Sequence, residues 1–403
     1  MTHGPTTSDP APHRASPVTR RHVVRSGLVA AGAVVAAPFI NLGRFRLFAA
    51  APEEYSARCL KLMLESTVLD MLSPLSIDDR WLEWAKDPES FTETDFQKYR
   101  SSGIDVFHAA VGLGGPNAYE QAVNYFGAMN ALIAGADRRF TRIKSAADLS
   151  RIHTAGKIGL LPGLQNSEHF RRPADVDFFF TLGQRVSQLT YNSRNLIGNG
   201  STERRDEGIS DFGAAIVTQM NTTGMAIDVS HCGDRTTLDA FELSTKPVLI
   251  THSNVRALAG NHPRCKSDDA IRAVGKAGSV MGISGVRMFV KATEPTTIED
   301  VLDHFDYVRK MIGSEHLGVG SDMDLDGYDK LDPKMQERLR ASYKSSYAFR
   351  DRIDIAGLDH PKRMFDLTEG LIRRRYSNSE IHGVLGGNFI RVLTEIWPAR
   401  RAG

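Results

Sequence analysis

Cysteine, tryptophan and net charge are all scarce in this chain. Three cysteines among 403 residues (Cys59, Cys232, Cys265) are too few for a closed disulfide framework. Lys and Arg total 50 against 48 Asp and Glu, a formal charge of only +2. That balance is uneven along the chain. The first 50 residues carry six arginines against Asp9 alone, which leaves the rest of the chain with a slight acidic excess. Such a body has no electrostatic reason to bind nucleic acid. These shortages exclude a nucleic-acid binder and a disulfide-stapled miniprotein, and composition also excludes a multi-span membrane protein. What is present is ordinary globular composition, 41% hydrophobic and 24% charged. The length suits one large barrel-sized domain or two medium ones.

Residues 1 to 50 read as an export signal and linker. Thr19-Arg20-Arg21-His22-Val23-Val24-Arg25 precedes an apolar run from Gly27 to Ile40, and Ala49, Ala50 and Ala51 follow. A positive flank, a short apolar segment and small residues make up an export signal. The paired arginines resemble the twin-arginine type, with Val where Phe and Leu are usual. Export would place the protein in the periplasm or outside the cell, and an uncleaved segment would act as a weak membrane tether. The bland alternative is a disordered basic tail.

Residues 51–403 alternate between strand and helix signals. The strand candidates are Thr67–Leu69, Ile104–Val111, Ile158–Leu164, Val186–Leu189, Met225–Val229, Val248–Ile250, Ser279–Ile283 and Leu317–Gly320. Helical stretches between them include Ala118–Ile133, Phe212–Thr222, Arg235–Ser244, Asp268–Ala277 and Ile298–Ile312. Ser210-Asp211 and Asp234 stand as start signals, Gly224 and Gly278 as stops. Strict alternation implies parallel strands with right-handed crossovers. Eight such units predict an α/β fold, a closed (β/α)8 TIM-type barrel, with a doubly wound open sheet as the competitor. After Gly320 the pattern turns helical to the end of the chain.

Barrel sites lie at the C-terminal ends of the strands, so polar residues there are the informative ones. His231 follows Ala226-Ile227-Asp228-Val229-Ser230, His252 follows Val248-Leu249-Ile250-Thr251, and Asp322 follows Val319-Gly320-Ser321. Two imidazoles and a carboxylate at one mouth suit zinc, which could acidify a water and polarise a carbonyl. A single such histidine is more often a hydrogen-bonded core residue; two at consecutive strand ends favour a metal or catalytic role. Cys232 and Cys265 read as buried structural thiols.

These residues resemble the membrane (renal-type) dipeptidases, peptidase family M19. The resemblance is densest in Leu189-Thr190-Tyr191-Asn192, Gly208-Ile209-Ser210-Asp211-Phe212-Gly213, Met225 to His231 and Thr251-His252-Ser253-Asn254. It continues through Asn261-His262-Pro263-Arg264, Gly318 to Asp322 and Leu385-Gly386-Gly387-Asn388-Phe389. It implies a (β/α)8 metal-dependent hydrolase that cleaves dipeptides with two zinc ions bridged by a glutamate. It also implies His231, His252 and Asp322 as metal ligands and Arg264 as the grip on the substrate carboxylate. Asn192, after the fourth strand, is the residue to steady the scissile carbonyl. Family members are often dimers, so the resemblance implies a homodimer as well.

The departures are equally specific. The family's His-x-Asp ligand pair after the first strand is replaced by Leu72 and Pro74, and its bridging glutamate by Gln165. Two divalent ions facing Asp322 alone would leave an uncompensated charge of +3, which is costly in a partly buried mouth. The expectation is one zinc ion or none, with His231, His252 and Gln165 or water around it and Asp322 as ligand or proton acceptor. Glu168, His169 and Asp70 are conceivable substitutes for the missing ligands. The leading expectation is an exported metallodipeptidase-like hydrolase acting on a small peptide-like substrate. The alternatives are a non-hydrolytic tailoring enzyme and an inactive binding protein on the same fold.

Overall fold

The computed structural model describes Met1, residues 44–46 and residues 54–397. The paired arginines, the apolar run and the three alanines of the export signal lie outside the described residues. The chain divides into two compact units, Met1–Ala57 and Arg58–Gly403. In the first, β1 (Arg44–Arg46) pairs antiparallel with β2 (Glu54–Ser56).

The second unit is the barrel. Its strands are β3 (Leu69–Asp70), β4 (Val106–Phe107) continued by β5 (Ala110–Val111), and β7 (Ile158–Leu160) continued by β8 (Gly163–Leu164). Then come β9 (Val186–Gln188), β10 (Ala226–Asp228), β11 (Val248–Ser253), β12 (Met281–Ile283) and β13 (Leu317–Val319). Every pairing among them is parallel. One run is ordered β13-β12-β11-β10-β9-β8-β5 and the other β3-β4-β7-β6, where β6 is Phe140–Arg142. Because β5 extends β4 and β8 extends β7, the two runs are parts of one curved sheet. The ring closes where Met71 N donates to Val319 O at 2.9 Å and Asp322 N donates to Leu72 O at 2.8 Å.

All eight expected strands have a counterpart: four are shortened by one or two residues, two are split, Val248–Ile250 extends to Ser253, and the first shifts from Thr67–Leu69 to Leu69–Asp70. A ninth, β6 (Phe140–Arg142), was not anticipated; it pairs with β7 outside the ring. The helices match closely: Ala118–Gly135, Asp211–Thr223, Asp234–Leu243, Asp268–Lys276 and Ile298–Ile312. Ser210 caps its helix by accepting from Gly213 N, and Gly224 ends it at φ +83°, a left-handed backbone that favours glycine. Asp234 is a correction. It is the first helical residue rather than the cap, and its carboxylate takes the Arg256 guanidinium instead.

The expectation of helix throughout the region after Gly320 also needs correction. Helices Pro333–Ala341, Arg363–Arg373, Asn378–His382 and Asn388–Ile396 are separated by irregular chain. There the Asp354 carboxylate accepts from Tyr328 N (2.9 Å) and Asp329 N (2.8 Å), while Asp329 accepts from Ile353 N (2.9 Å). Such side-chain to backbone bonds compete with helical ones.

Burial explains which end of the barrel can be reactive. Leu69, Met71, Val106, Leu161, Val186, Ala226, Leu249 and Val280 pack into one apolar cluster with Phe389, Val392 and Leu393 of the final helix. Phe389 lies directly on Gly318, where a Cβ would come within 2.2 Å of its ring. Two residues further along four of these strands come His108, Gln188, Asp228 and Thr251, all buried and polar. The apolar layer therefore gives way to polar chemistry toward the strands' C-terminal ends.

Candidate active site at the barrel mouth

Asp228 organises the mouth. Its Oδ1 accepts from Ser230 N (3.0 Å), Ser230 Oγ (2.6 Å) and Thr251 N (3.0 Å), and its Oδ2 accepts from Thr251 Oγ1 (2.7 Å). Ser230 Oγ in turn accepts from His252 N at 3.0 Å. The ends of β10 and β11 are thus tied together, and the residues that leave them, His231 and His252, stand side by side. Their Nε2 atoms are 3.0 Å apart.

The hydrogen-bond network fixes both tautomers. Thr251 Oγ1 gives its proton to Asp228, so it accepts from His252 Nδ1–H at 2.8 Å. Asn192 Oδ1 accepts from His231 Nδ1–H at 2.8 Å. Each ring then carries its lone pair on Nε2, and the two lone pairs face each other. Burial, reinforced by the nearby Arg264 and Lys266 charges, holds both imidazoles well below their usual basicity. A proton is therefore a poor bridge at neutral pH, whereas a metal cation suits the pair. Zinc holds two imidazole nitrogens about 3.3 Å apart, close to the separation seen. Outer hydrogen bonds of this kind are what orient histidine ligands.

Asp322 follows β13 with a left-handed backbone, φ +61°. It shares a cavity with Gln165 and Pro74, and desolvation raises its carboxyl to about 7, with Arg264 opposing the rise and Asp70 adding to it. Gln165 Nε2 donates to Ala110 O at 3.1 Å, and its buried Oε1 has no hydrogen-bond partner among the described residues. Tyr191 stacks on His231, with ring centroids 4.2 Å apart. His231, His252, Asn192, Gln165 and Asp322 are all therefore at the mouth. Among the described residues, however, no three His, Cys, Asp or Glu side chains gather as a metal-holding group.

Arg264 is buried, with Nη1 donating to Ser230 O and to Ser253 Oγ (3.2 Å) and Nη2 donating to His252 O (2.8 Å). Its Nε–H has no partner among the described residues. The guanidinium thus braces the carbonyls that carry the two histidines. Asn192 likewise uses its carbonyl to orient His231, leaving Nδ2 to donate elsewhere.

Of the three positions that depart from the resemblance, Leu72 and Pro74 carry apolar side chains. Leu72 is fully buried, and Pro74 lines the cavity. The conceivable substitutes are occupied elsewhere. Asp70 is held by Arg363 (2.9 Å) and by Ser321 N and Oγ. Glu168 accepts from Gly115 N and Asn166, and His169 bonds Asn166 O and Gln184 Oε1. Cys232 and Cys265 are buried thiols pushed by desolvation to about 11 and about 12.

Three features escaped sequence reasoning. His108 points inward between β4 and β5; its Nδ1 bonds Met71 O at 2.7 Å, and its Nε2 is buried without a partner. The signal was alternation, since the intervening Phe107 packs outward on Tyr99. Lys266 is buried, its Nζ donating to Val229 O, Cys232 O and Thr237 Oγ1, and desolvation lowers it to about 8. Tyr343 and Tyr347 roof the cavity from a segment with no periodic pattern.

Comparison with known proteins places the chain in a family. Dipeptidase aclJ of Aspergillus oryzae is 29% identical over 62% of this chain and 54% of its own length. Dipeptidase verJ of Clonostachys rogersoniana is 28% identical over 66% of this chain and 63% of its own. The aligned region thus spans somewhat more than half the length of these curated relatives. An amidohydrolase from Pseudomonas aeruginosa superposes with a TM-score of 0.72 at 28% identity, covering 84% of this chain and 99% of that one. The family profile for membrane dipeptidase (peptidase family M19) matches residues 57–338 and 348–402, so the chain belongs to that family.

Proposed function

We propose that this chain is a metallohydrolase that cleaves a dipeptide or a related small amide with a single zinc ion. The observation that carries the reading is the 3.0 Å approach of His231 Nε2 to His252 Nε2, with each ring held from behind through Nδ1 and its basicity lowered by burial. Both fungal relatives are named dipeptidases, which supports the substrate class.

His231 and His252 would hold the ion, with the uncharged Gln165 Oε1 as a further oxygen donor. Zinc so held supplies an acidified water and a polarised carbonyl. Asp322, in the same cavity and with its carboxyl near neutrality, can take the proton from the attacking water and return it to the leaving amine. Asn192 Nδ2 is the remaining side-chain donor for the carbonyl oxygen, and Arg264 Nε–H the remaining donor for a substrate carboxylate. With Leu72, Pro74 and Gln165 at the other ligand positions, one carboxylate is available to balance charge, which favours one ion over two. The paired arginines Arg20 and Arg21 support export to the periplasm or beyond.

The test is turnover of a dipeptide panel by chelator-stripped full-length protein before and after zinc is restored. Zinc-dependent hydrolysis is expected, and its absence with every substrate would refute the proposal.

A further inference from the structure

We infer that this mouth selects substrates with an apolar side chain, which enters the pocket that Pro74, Phe289 and Phe349 line beside Asp322. The inference rests on the hydrolase reading for its reaction, but not for its binding preference.

Pro74, Val286, Met288, Phe289, Phe349 and Ile353 supply the apolar part of the lining of a cavity of about 80 Å³, which Gln165, Asp322 and the tyrosines complete. Ligand pockets normally reach about 300 Å³ or more, so this cavity suits one side chain rather than a whole dipeptide. No basic residue lines it. A charged side chain would lose its hydration there with no opposite charge other than Asp322 to replace it.

A second compartment lies across a tyrosine wall. The outer cleft has a volume of about 320 Å³ and is lined by Lys344, Asn192, Ser193 and Thr202 as well as by tyrosine rings. Both compartments share Tyr191, Tyr343 and Tyr347. Tyr191 and Tyr343 are joined by their hydroxyls at 2.9 Å, and the Tyr343 and Tyr347 rings stack with centroids 4.3 Å apart. Tyr343 and Tyr347 belong to the stretch between residues 338 and 348 that the family profile skips, whereas Tyr191 lies within the matched residues. The division assigns the apolar side chain to the inner compartment and the polar or charged end of the substrate to the outer one.

The test is calorimetric binding of L-phenylalanylglycine, L-leucylglycine, L-aspartylglycine and L-lysylglycine, together with the four reversed glycyl dipeptides. Full-length protein is used with chelator present, so that turnover does not contribute. At least one apolar dipeptide should bind about 10-fold or more tighter than its charged counterparts. Tyr343→Ala and Phe349→Ala, each with a retained melting transition, should erase most of that preference. Equal affinity across the panel, or no binding by any member, would overturn the inference. Restoring zinc separates the two readings. Hydrolysis of all members at equal kcat/KM would refute the pocket and leave the hydrolase standing; selective binding without turnover would do the reverse.

Discussion

Thr251 donates its hydroxyl proton to Asp228 Oδ2 at 2.7 Å, and its oxygen is thereby left to accept from His252 Nδ1–H at 2.8 Å. The carboxylate two residues before Ser230 thus sets the tautomer of a histidine on the neighbouring strand. Thr251→Val keeps the shape of the side chain but removes that acceptor. Zinc affinity, measured by competition with a chromogenic chelator, should fall by about 10- to 100-fold. Unchanged affinity would mean that the hydroxyl does not orient the ring.

Asp322 ties stability to pH. Its folded carboxyl keeps a proton up to about pH 7, whereas an ordinary aspartate releases it near 3.8. Between those values the folded state binds more protons than the unfolded one, so stability falls as pH rises through the window. In metal-free protein, Asp322→Asn should therefore gain on the order of 1–3 kcal/mol at pH 8 relative to wild type and almost nothing at pH 4. Denaturant melts at the two pH values measure this. A gain confined to pH 4 would reverse the assigned shift.

The buried pair of Asp70 and Arg363, at 2.9 Å, binds the first strand to the helix Arg363–Arg373. Asp70→Leu leaves a buried guanidinium uncompensated and should cost about 3–5 kcal/mol. The double variant Asp70→Leu with Arg363→Met should be less destabilised than Asp70→Leu alone. Chemical denaturation of the two proteins decides the matter, and additive losses would show that the pair is not coupled.

His108 fits inside the barrel because residue 163 has no side chain. A Cβ there would stand 2.3 Å from His108 Nε2 and 3.2 Å from Val186 O. Gly163→Ala should destabilise the fold by about 1–3 kcal/mol, and adding His108→Ala should recover part of the loss. A double-mutant cycle with no interaction energy would place the imidazole elsewhere.

Much of the fold could be read before any coordinates, for a physical reason. The helix Asp211–Thr223 carries its start and stop signals in Ser210 and Gly224, and such signals act within a few residues. His231, His252 and Asp322 were legible because they follow strand runs together, and that coincidence is rarer than any one such residue alone. By contrast, β6 is three residues long and lies outside the ring, so neither period nor length marked it. The irregular path from residue 342 to residue 362 follows from carboxylates that take backbone N–H groups from distant residues, which no local pattern encodes. The partners of Asn192 and Arg264 were hidden for the same reason. Family position named both residues, while the bonds that now occupy them arise only from tertiary approach.

The most direct test of the single-ion site is zinc stoichiometry. Chelator-stripped protein titrated calorimetrically with zinc, and checked by elemental analysis after desalting, should bind one equivalent, and the His231→Ala and His252→Ala variants should bind none. Retention of no zinc by the parent chain, or of two equivalents, would contradict the account.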